Sequence, residues 1–361
     1  TGEGPHGRVK SNGYGMDDVW FYDANQHRWI CVYPGTPARG GYKDMITIDK
    51  ETGFEVDKDG NPVPVAVGVH AYLQVTYDTD RKCLMRTTCG SYLKSKIKGR
   101  KETIKAYKEW KKKQEEKKQD SEDEKDDKKP KMTRTPWIYD TVEHRWERYR
   151  CPKPYRWKVT GYASTLIYVP SVKKAFAFRK RSYTFGWYNP DTKKYEPIKR
   201  KGQTPPWDMD SNNCYDSKRD RIYMGGGIYP TIKKGKSALY AFDVQPESFI
   251  HLKPENDPGL QNYTSNNAIF MYDKVNDAAV LFLHGSSKKN GTGDGIYAYH
   301  PEENRWETVQ LKPEFYTSKD NPPYPHWSGF YDPVFNVYFL FVGTDGADAG
   351  TMWAYRYKKR K

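Results

Sequence analysis

Polar side chains that could bind a ligand recur a few residues before a repeated tyrosine. The repeated tyrosines are Tyr77, Tyr168, Tyr215, Tyr272 and Tyr331. The candidate binding residues before them are His70, Tyr72, Tyr162, Asn212, Asn267, His326 and Trp327. Imidazole, amide and phenol groups donate and accept hydrogen bonds, so they suit a hydroxyl-rich ligand or ordered water. The sequence has no nucleophile elbow, phosphate loop or zinc signature, so it does not predict a catalytic centre. A site assembled from scattered residues stays an open alternative.

Two acidic segments carry part of a calcium-loop pattern. Asp57, Asp59 and Asn61 have the spacing of calcium ligands, but the closing bidentate Glu is missing at the required distance. Asp345 and Asp348 form a second such segment. Asp-Gly is also the commonest tight turn of β-hairpins. We therefore predict no cofactor, with calcium at these two segments as the alternative.

Aromatic residues recur in pairs that are seven positions apart. The pairs are Tyr22/Trp29, Tyr139/Trp146, Tyr188/Tyr195, Phe242/Phe249 and Tyr299/Trp306, and Tyr355 begins a sixth copy. Each pair encloses a polar turn between β-prone segments, which predicts an outer hairpin. The repeated tyrosines alternate with these pairs and are followed by apolar runs, which predicts an inner hairpin. Together the two hairpins predict one four-stranded sheet per repeat.

The repeat resembles that of the kelch-repeat β-propellers. From Tyr139 onward the outer hairpins recur every 49 to 57 residues, with Tyr-Asp in one strand and Trp opening another. A run of glycines is kept only at 225–227, and the tail 353–358 resembles that of a divergent bacterial kelch-like group. The resemblance implies an all-β fold, a six-bladed kelch-like β-propeller that forms a single domain over residues 1–361. The first blade would be incomplete, because residues 1–16 are too few and too rich in glycine to supply an inner hairpin. The candidate binding residues would then lie at the mouth of the central channel.

Two insertions interrupt the predicted repeat. Residues of about 36–66 predict a β-hairpin, and about 93–133 form a Lys/Glu-rich segment with 16 basic and 10 acidic residues from Lys94 to Lys131. Ile97, Ile104 and Tyr107 fall on one helical stripe, and after Trp110 no apolar residue occurs before Met132. We predict a charged helical arm in blade 2 that binds a partner through Ile97, Ile104, Tyr107 and Trp110. A solvated surface excursion is the alternative.

The net charge and the cysteine content limit which partners and which cellular compartment we expect. The net charge of +15 favours acidic proteins, anionic glycans or an envelope surface, and nucleic acid is the weaker option. No apolar stretch approaches the roughly 20 residues of a transmembrane helix. The five cysteines lack metal-ligand spacing, which predicts buried free thiols but leaves their disulfide state undecided. The resemblance to the bacterial kelch-like group implies a secreted, periplasmic or cell-surface protein.

The functional hypothesis follows from the repeat and from the missing catalytic pattern. We expect a non-enzymatic protein–protein interaction scaffold that is a subunit of an extracellular or envelope assembly. The alternative is a glycan- or small-ligand-binding propeller, or a propeller enzyme with a site at the channel mouth.

Overall fold

The computed structural model describes residues 19–34, 47–48, 55–56, 75–86, 109, 112, 136–148, 164–179, 184–205, 212–225, 239–258, 268–283, 295–311, 326–343 and 350–358. All secondary-structure elements of this described part are β-strands, in the order β1 (Val19–Asp23), β2 (Arg28–Tyr33), β3 (Thr47–Ile48), β4 (Glu55–Val56), β5 (Val75–Asp78), β6 (Cys83–Arg86), β7 (Trp137–Asp140), β8 (Arg145–Arg148), β9 (Ser164–Val169), β10 (Lys174–Arg179), β11 (Thr184–Asn189), β12 (Lys194–Pro197), β13 (Asn212–Asp216), β14 (Arg221–Gly225), β15 (Tyr240–Asp243), β16 (Ser248–His251), β17 (Ala268–Asp273), β18 (Ala278–Leu283), β19 (Gly295–His300), β20 (Arg305–Leu311), β21 (His326–Asp332), β22 (Val337–Gly343) and β23 (Gly350–Tyr355).

Strands that follow one another in sequence lie side by side in the sheets. Four sheets have four strands each, β5–β8, β9–β12, β13–β16 and β17–β20, and one has three, β21–β23. Two further sheets are single hairpins, β1–β2 and β3–β4, of which the second lies within the insertion at about 36–66. The five larger sheets form a β-propeller-like arrangement of blades.

The chain divides into two compact units. The first comprises residues 1–162, 173–175 and 187–196, and the second comprises 163–172, 176–186 and 197–361. The first unit therefore holds β1–β8, and the second holds β9 and β13–β23, while β10–β12 are divided between them. In the second unit the inner strands β13, β17 and β21 are successive neighbours.

The described strands form five blades, so the prediction of six blades is wrong. Six aromatic markers do occur, but the first of them lies in the two-stranded sheet β1–β2, which has no inner hairpin in the described part of the chain. Each aromatic marker indicates an outer hairpin, whereas a blade also requires an inner hairpin that is hydrogen-bonded to the outer one. Counting the markers therefore overestimated the number of blades by one.

The helical insertion predicted for blade 2 is also corrected. The described residues contain no helix element. Within the predicted arm only Glu109 and Lys112 are described; both are exposed with helical backbone, and two separated residues do not make a helix. Most helical stability in proteins comes from packing of an apolar face, and the apolar residues of this segment stop at Trp110. A short stripe of apolar residues that is followed by a long charged segment is therefore a poor basis for predicting a packed helix.

The seven-residue spacing records the register of the outer hairpins. Opposite each other across the hairpin lie Tyr22 and Trp29, Tyr139 and Trp146, Phe242 and Phe249, and Tyr299 and Trp306. The ring centroids of these four pairs are 5.1, 5.2, 4.9 and 5.4 Å apart. Such cross-strand aromatic contacts stabilise a hairpin by roughly 0.2–1 kcal/mol each.

The hairpin turns share one geometry. In the first hairpin, Asp23 Oδ1 accepts the N–H groups of Asn25 and Gln26 at 3.0 and 3.1 Å, and His27 adopts a left-handed φ of 49°. The Tyr22 hydroxyl bonds to Nδ1 of that left-handed residue at 2.9 Å. A left-handed residue recurs at the same turn position at Lys82, His144, Lys173, Lys193, Asp220, Glu247, Asp277, Asn304 and Asn336. The repeated Tyr-Asp dipeptide is therefore a turn motif.

Aromatic rings form the core between successive blades of the second unit. Phe176 of β10 stacks on Phe242 of β15 with centroids 4.5 Å apart. Tyr223 of β14 meets Tyr299 of β19 at 5.3 Å, and Phe282 of β18 meets Tyr355 of β23 at 5.4 Å. The second strand of one blade thus covers the outer hairpin of the next, which makes burial of the aromatic pairs the main packing contribution.

Candidate functional site

The carboxylates of the inner turns serve as structural acceptors. Asp78, Asp216 and Asp273 are fully buried. Beyond their turn bonds, each Oδ2 accepts a side-chain donor three residues later, from Arg81 at 2.7 Å, Arg219 at 2.8 Å and Asn276 at 2.8 Å, respectively. Buried acceptors with this many hydrogen-bond partners serve the fold and face no solvent, so they are poor candidates for catalytic residues.

Arg219 is the centre of the largest charged cluster in the described chain. Its guanidinium donates to Asp216 at 2.8 Å, to Asp277 at 2.7 and 2.9 Å, and to Glu302 at 2.6 Å. Lys218 adds an ion pair to Asp277 at 2.5 Å. The hydrogen bonds from Arg219 hold the pKa of the Asp277 carboxyl well below its usual range. This cluster connects the turn of β13–β14 with the turns of the β17–β18 and β19–β20 hairpins.

Inner turns of the second unit are joined in series. Ser171 Oγ donates to Asp220 at 2.6 Å, Arg219 donates to Asp277, and Asn276 Nδ2 donates to Asn336 at 3.2 Å. In each case a side chain of one turn reaches the left-handed residue of the next inner turn. The polar residues of these turns therefore hold the blades together.

Two buried phenols are hydrogen-bond donors to the same carboxylates. Tyr223 donates to Asp216 Oδ2 at 2.9 Å, and Tyr338 donates to Asp273 Oδ2 at 3.1 Å. Burial, followed by the adjacent carboxylate, raises the pKa of Tyr223 and of Tyr338 far above the ordinary value. Both phenols therefore stay protonated at any physiological pH, as a structural donor must.

Of the predicted ligand-binding residues, the structure describes three. Asn212 begins β13 opposite Gly225, and His326 begins β21 opposite Gly343, with Trp327 next to it opposite Val342. Because β17 lies between β13 and β21, the two strand starts belong to one group of neighbouring inner strands. The other predicted ligand-binding residues, His70, Tyr72, Tyr162 and Asn267, lie outside the described residues, as do all four arm residues, Ile97, Ile104, Tyr107 and Trp110.

The Asn212 amide is buried and unsatisfied. Its side chain is 2% exposed, and Oδ1 accepts no hydrogen bond within the described structure. The Nδ2 of the adjacent Asn213 is also buried without a partner. Neighbouring residues of a strand point to opposite faces, so these two amides do not form one site. A buried acceptor without a partner costs about 1–3 kcal/mol, which a ligand or water donating to Asn212 would offset.

A second polar cluster, which sequence reasoning missed, lies at the end of the chain. Glu307 Oε2 accepts the Tyr357 hydroxyl at 2.7 Å and lies 2.8 Å from His300 Nε2. Burial pushes the pKa of Glu307 upward, but the bonds from Tyr357 and His300 outweigh it and leave that pKa below its ordinary value. The cluster attaches the residues after β23 to the β19–β20 hairpin. The aromatic tail at 353–358 was its only signal in the sequence.

The first hairpin exposes apolar side chains that the other outer hairpins bury. Trp29 is 44% exposed, whereas its four counterparts are buried, with exposed fractions of 4% for Trp146, 1% for Tyr195, 2% for Phe249 and 1% for Trp306. Trp20 and Ile30 of the same hairpin are exposed as well. The opposite side of the hairpin packs Val19 and Phe21 against the β7–β8 hairpin. The sequence signal was the aromatic pair Tyr22/Trp29 without an inner hairpin beside it.

The described residues contain neither a metal-binding cluster nor a membrane-spanning helix. Within them, no group of three or more His, Cys, Asp or Glu side chains is arranged to hold a metal ion. Both calcium-loop candidates lie outside the described ranges. Over the same ranges, no helix has the length and apolar character needed to cross a bilayer.

Comparison with known proteins finds distant structural likenesses only. No protein family and no curated protein matches the sequence. A structural genomics protein of unknown function from Bacteroides thetaiotaomicron VPI-5482 is similar at 10% identity and a TM-score of 0.35, covering 58% of this chain and 48% of that chain. The extracellular domain of a B. thetaiotaomicron protein assigned as a one component system is similar at 13% identity and a TM-score of 0.33, covering 62% and 24%. Tricorn protease is similar at 7% identity and a TM-score of 0.34, covering 93% and 38%.

The chain thus spans less than half the length of each of these three structures. With TM-scores this low, none of them supports a conclusion about function.

Proposed function

We propose that the protein is a non-enzymatic interaction scaffold that binds a partner protein through its first hairpin. The observation that carries this proposal is the exposure of Trp29 at a position that is buried in four other outer hairpins. The described polar motifs support it further, because their side chains are engaged in turns and in contacts between blades.

The first hairpin has the chemistry of a protein-binding surface. Trp20 and Trp29 present their rings to solvent on one face of this two-stranded sheet, the face opposite to Phe21. Tryptophan is among the residues that contribute most to binding energy at protein interfaces. Burial of exposed apolar surface contributes about 25 cal/mol per Å², so covering these side chains would favour association.

Variants of the exposed hairpin test this proposal. We expect Trp29→Ser combined with Trp20→Ser to weaken capture of the partner from extracts of the native source at least tenfold, since interface tryptophans contribute about 2 kcal/mol or more. Leu311→Ser is the matched control, because Leu311 is an exposed apolar residue at the end of β20. Equal capture by wild type and by the double variant would refute the assignment of this surface.

A second candidate function is the binding of a hydroxyl-rich ligand at the starts of the inner strands. The buried, unsatisfied amide of Asn212 supports it, because a ligand hydroxyl would supply the missing donor. A glycan array followed by titration calorimetry tests it, and Asn212→Leu should abolish the binding of any glycan found. Thr204→Val is the control, because Thr204 Oγ1 is also buried without a hydrogen-bond partner in the described structure but lies outside the inner strands. Binding that survives in the Asn212 variant would remove this candidate.

The proposal also includes the family to which the repeat belongs. We assign the blades to a divergent kelch-like group, on the strength of the Tyr-Asp turns and the aromatic pairs. A place in an extracellular or envelope assembly follows from that assignment. Acidic proteins or anionic glycans are the partners that a net charge of +15 favours.

A further inference from the structure

The last inner turn, between β21 and β22, differs chemically from the two inner turns that precede it, those of β13–β14 and β17–β18. Three residues after the turn carboxylate, the earlier turns carry the donors Arg219 and Asn276, whereas the turn between β21 and β22 carries Phe335, 44% exposed. Its neighbour Val334 is exposed, and so is Phe330, which stacks on Phe339 with centroids 5.1 Å apart. We call Phe330, Val334 and Phe335 the Phe335 patch.

Charged groups of opposite sign border the Phe335 patch. Asp332 Oδ1 accepts the N–H groups of Val334 and Phe335 at 2.8 and 3.1 Å, and its Oδ2 accepts no bond in the described structure. Arg356 donates through Nη2 to the Phe335 carbonyl and through Nε to the Asn336 carbonyl, both at 3.4 Å. Its Nη1 has no acceptor among the described residues. A carboxylate oxygen and a guanidinium nitrogen therefore remain available beside one exposed phenylalanine.

Hydrogen bonds beneath the patch hold it in place. Asn336, 1% exposed, accepts the Tyr331 hydroxyl at 3.0 Å and the Asn276 amide at 3.2 Å. Its own Nδ2 donates to the Lys358 carbonyl at 3.0 Å, which attaches the segment carrying Arg356. Binding at a surface that is already ordered costs little conformational entropy.

We propose that the Phe335 patch is the contact between two copies of this chain related by a two-fold axis. In such an interface each copy uses the same surface, so the surface must be complementary to itself. An apolar centre bordered by one carboxylate and one guanidinium meets this requirement, with Phe335 against its counterpart and Asp332 against Arg356 of the other copy. A patch of a single sign would repel its own copy, especially in a chain of net charge +15. This proposal is independent of the partner proposed for the first hairpin.

Sedimentation velocity over a concentration series tests the contact directly. The wild-type chain should form a dimer as its concentration rises, and Phe335→Ser should weaken dimerisation about tenfold or more, as loss of an interface anchor does. Val142→Ser is the matched control, because Val142 is exposed two residues after a turn aspartate, as Val334 is. Its dimerisation should equal that of wild type. A wild-type chain that stays monomeric at every concentration, or a Phe335→Ser variant that dimerises normally, overturns the proposal.

Two charge variants test the pairing across the axis. Asp332→Asn keeps the turn, because Asn189 forms the same turn with bonds of 3.0 and 3.2 Å, but it removes the carboxylate charge. Arg356→Gln removes the guanidinium. Each should weaken dimerisation about tenfold, and added salt should weaken the wild-type dimer more than either variant. Dimerisation that is unchanged in both variants would overturn the proposed geometry.

Discussion

At the residue scale, the repeated turn combines an unfavourable backbone conformation with compensating hydrogen bonds. A left-handed residue other than glycine costs roughly 1–2 kcal/mol, and ten hairpin turns of the described chain contain one. An Asp or Asn cap supplies two backbone bonds in seven of the turns, and in several a tyrosine hydroxyl adds a third bond to the left-handed side chain. The Asp, Asn or His side chain at the left-handed position therefore helps to stabilise the turn in these hairpins.

Lys82 provides a test of this backbone conformation, because it is exposed and has a φ of 52°. We expect Lys82→Gly to leave the free energy of unfolding unchanged or slightly raised, since glycine adopts this φ without strain. Lys82→Val should lower it by about 1–2 kcal/mol, because a β-branched side chain is strained there. Urea denaturation of both variants measures the difference. Equal stability of the two variants would show that the turn is not strained.

The Arg219 cluster predicts how stability depends on pH. Hydrogen bonds from Arg219 depress the folded-state pKa of Asp277 below its ordinary value of 3.8. A carboxyl with a depressed folded pKa stabilises the fold above its unfolded pKa, and that contribution is lost as the pH falls further. Asp277→Asn should therefore lower the free energy of unfolding by about 2 kcal/mol at pH 7, and this deficit should shrink below pH 3.8.

Urea denaturation at a series of pH values measures this deficit. Glu143→Gln is the control, because the Glu143 carboxylate forms no hydrogen bond in the described chain, and its effect should be small throughout. A deficit for Asp277→Asn that is the same at pH 3 and pH 7 would contradict the assigned role of Asp277.

At the element scale, the hairpin is the unit that could be predicted from sequence. Aromatic residues seven positions apart predicted the outer hairpins because of the hairpin register. Between Tyr139 and Trp146 lie one cross-strand pair, Asp140 and Arg145, and a four-residue turn, so the two rings come to lie opposite each other. The inner hairpins were predictable from Tyr-Asp and the apolar run after it. Residues such as Arg219 were not predictable as contacts between turns, because their partners lie 58 and 83 positions away and are brought close only by the packing of blades.

Gly202 allows a test of how β16 is held. Gly202 has a φ of +74° and forms a parallel bridge to Phe249, and a Cβ at this position would lie 2.1 Å from the Phe249 carbonyl oxygen. That oxygen accepts the Gln203 N–H at 2.8 Å. Gly202→Ala should break this bridge, accelerate exchange of the Gln203 amide hydrogen and destabilise the fold by about 2 kcal/mol or more.

Hydrogen-exchange mass spectrometry of peptides that cover 198–205 measures this effect, with Lys199→Ala at an exposed neighbouring position as the control. Unchanged protection in Gly202→Ala would show that the bridge contributes nothing to the stability of β16.

At the scale of the whole molecule, the number of aromatic repeats in the sequence differs from the number of blades in the described structure. Four blades pair an inner with an outer hairpin, and the fifth pairs an inner hairpin with the single strand β23, whereas the first aromatic marker, Tyr22, lies in the two-stranded sheet β1–β2. Nothing in the local sequence of Tyr22 and Trp29 separates this hairpin from the others, because the difference lies in what packs on it. For the same reason the exposed Trp29, the unsatisfied Asn212 and the Phe335 patch emerged only from burial and bonding in the fold.

The central claim is that Trp29 faces solvent while its counterparts in the other aromatic pairs are buried, and hydroxyl-radical footprinting of the isolated chain tests it most directly. Peptide mass spectrometry should find Trp20 and Trp29 oxidised many times faster than Trp146 and Trp306, in line with their exposure. Oxidation of Trp29 as slow as that of Trp146 and Trp306 would contradict the claim, and with it the proposed binding surface.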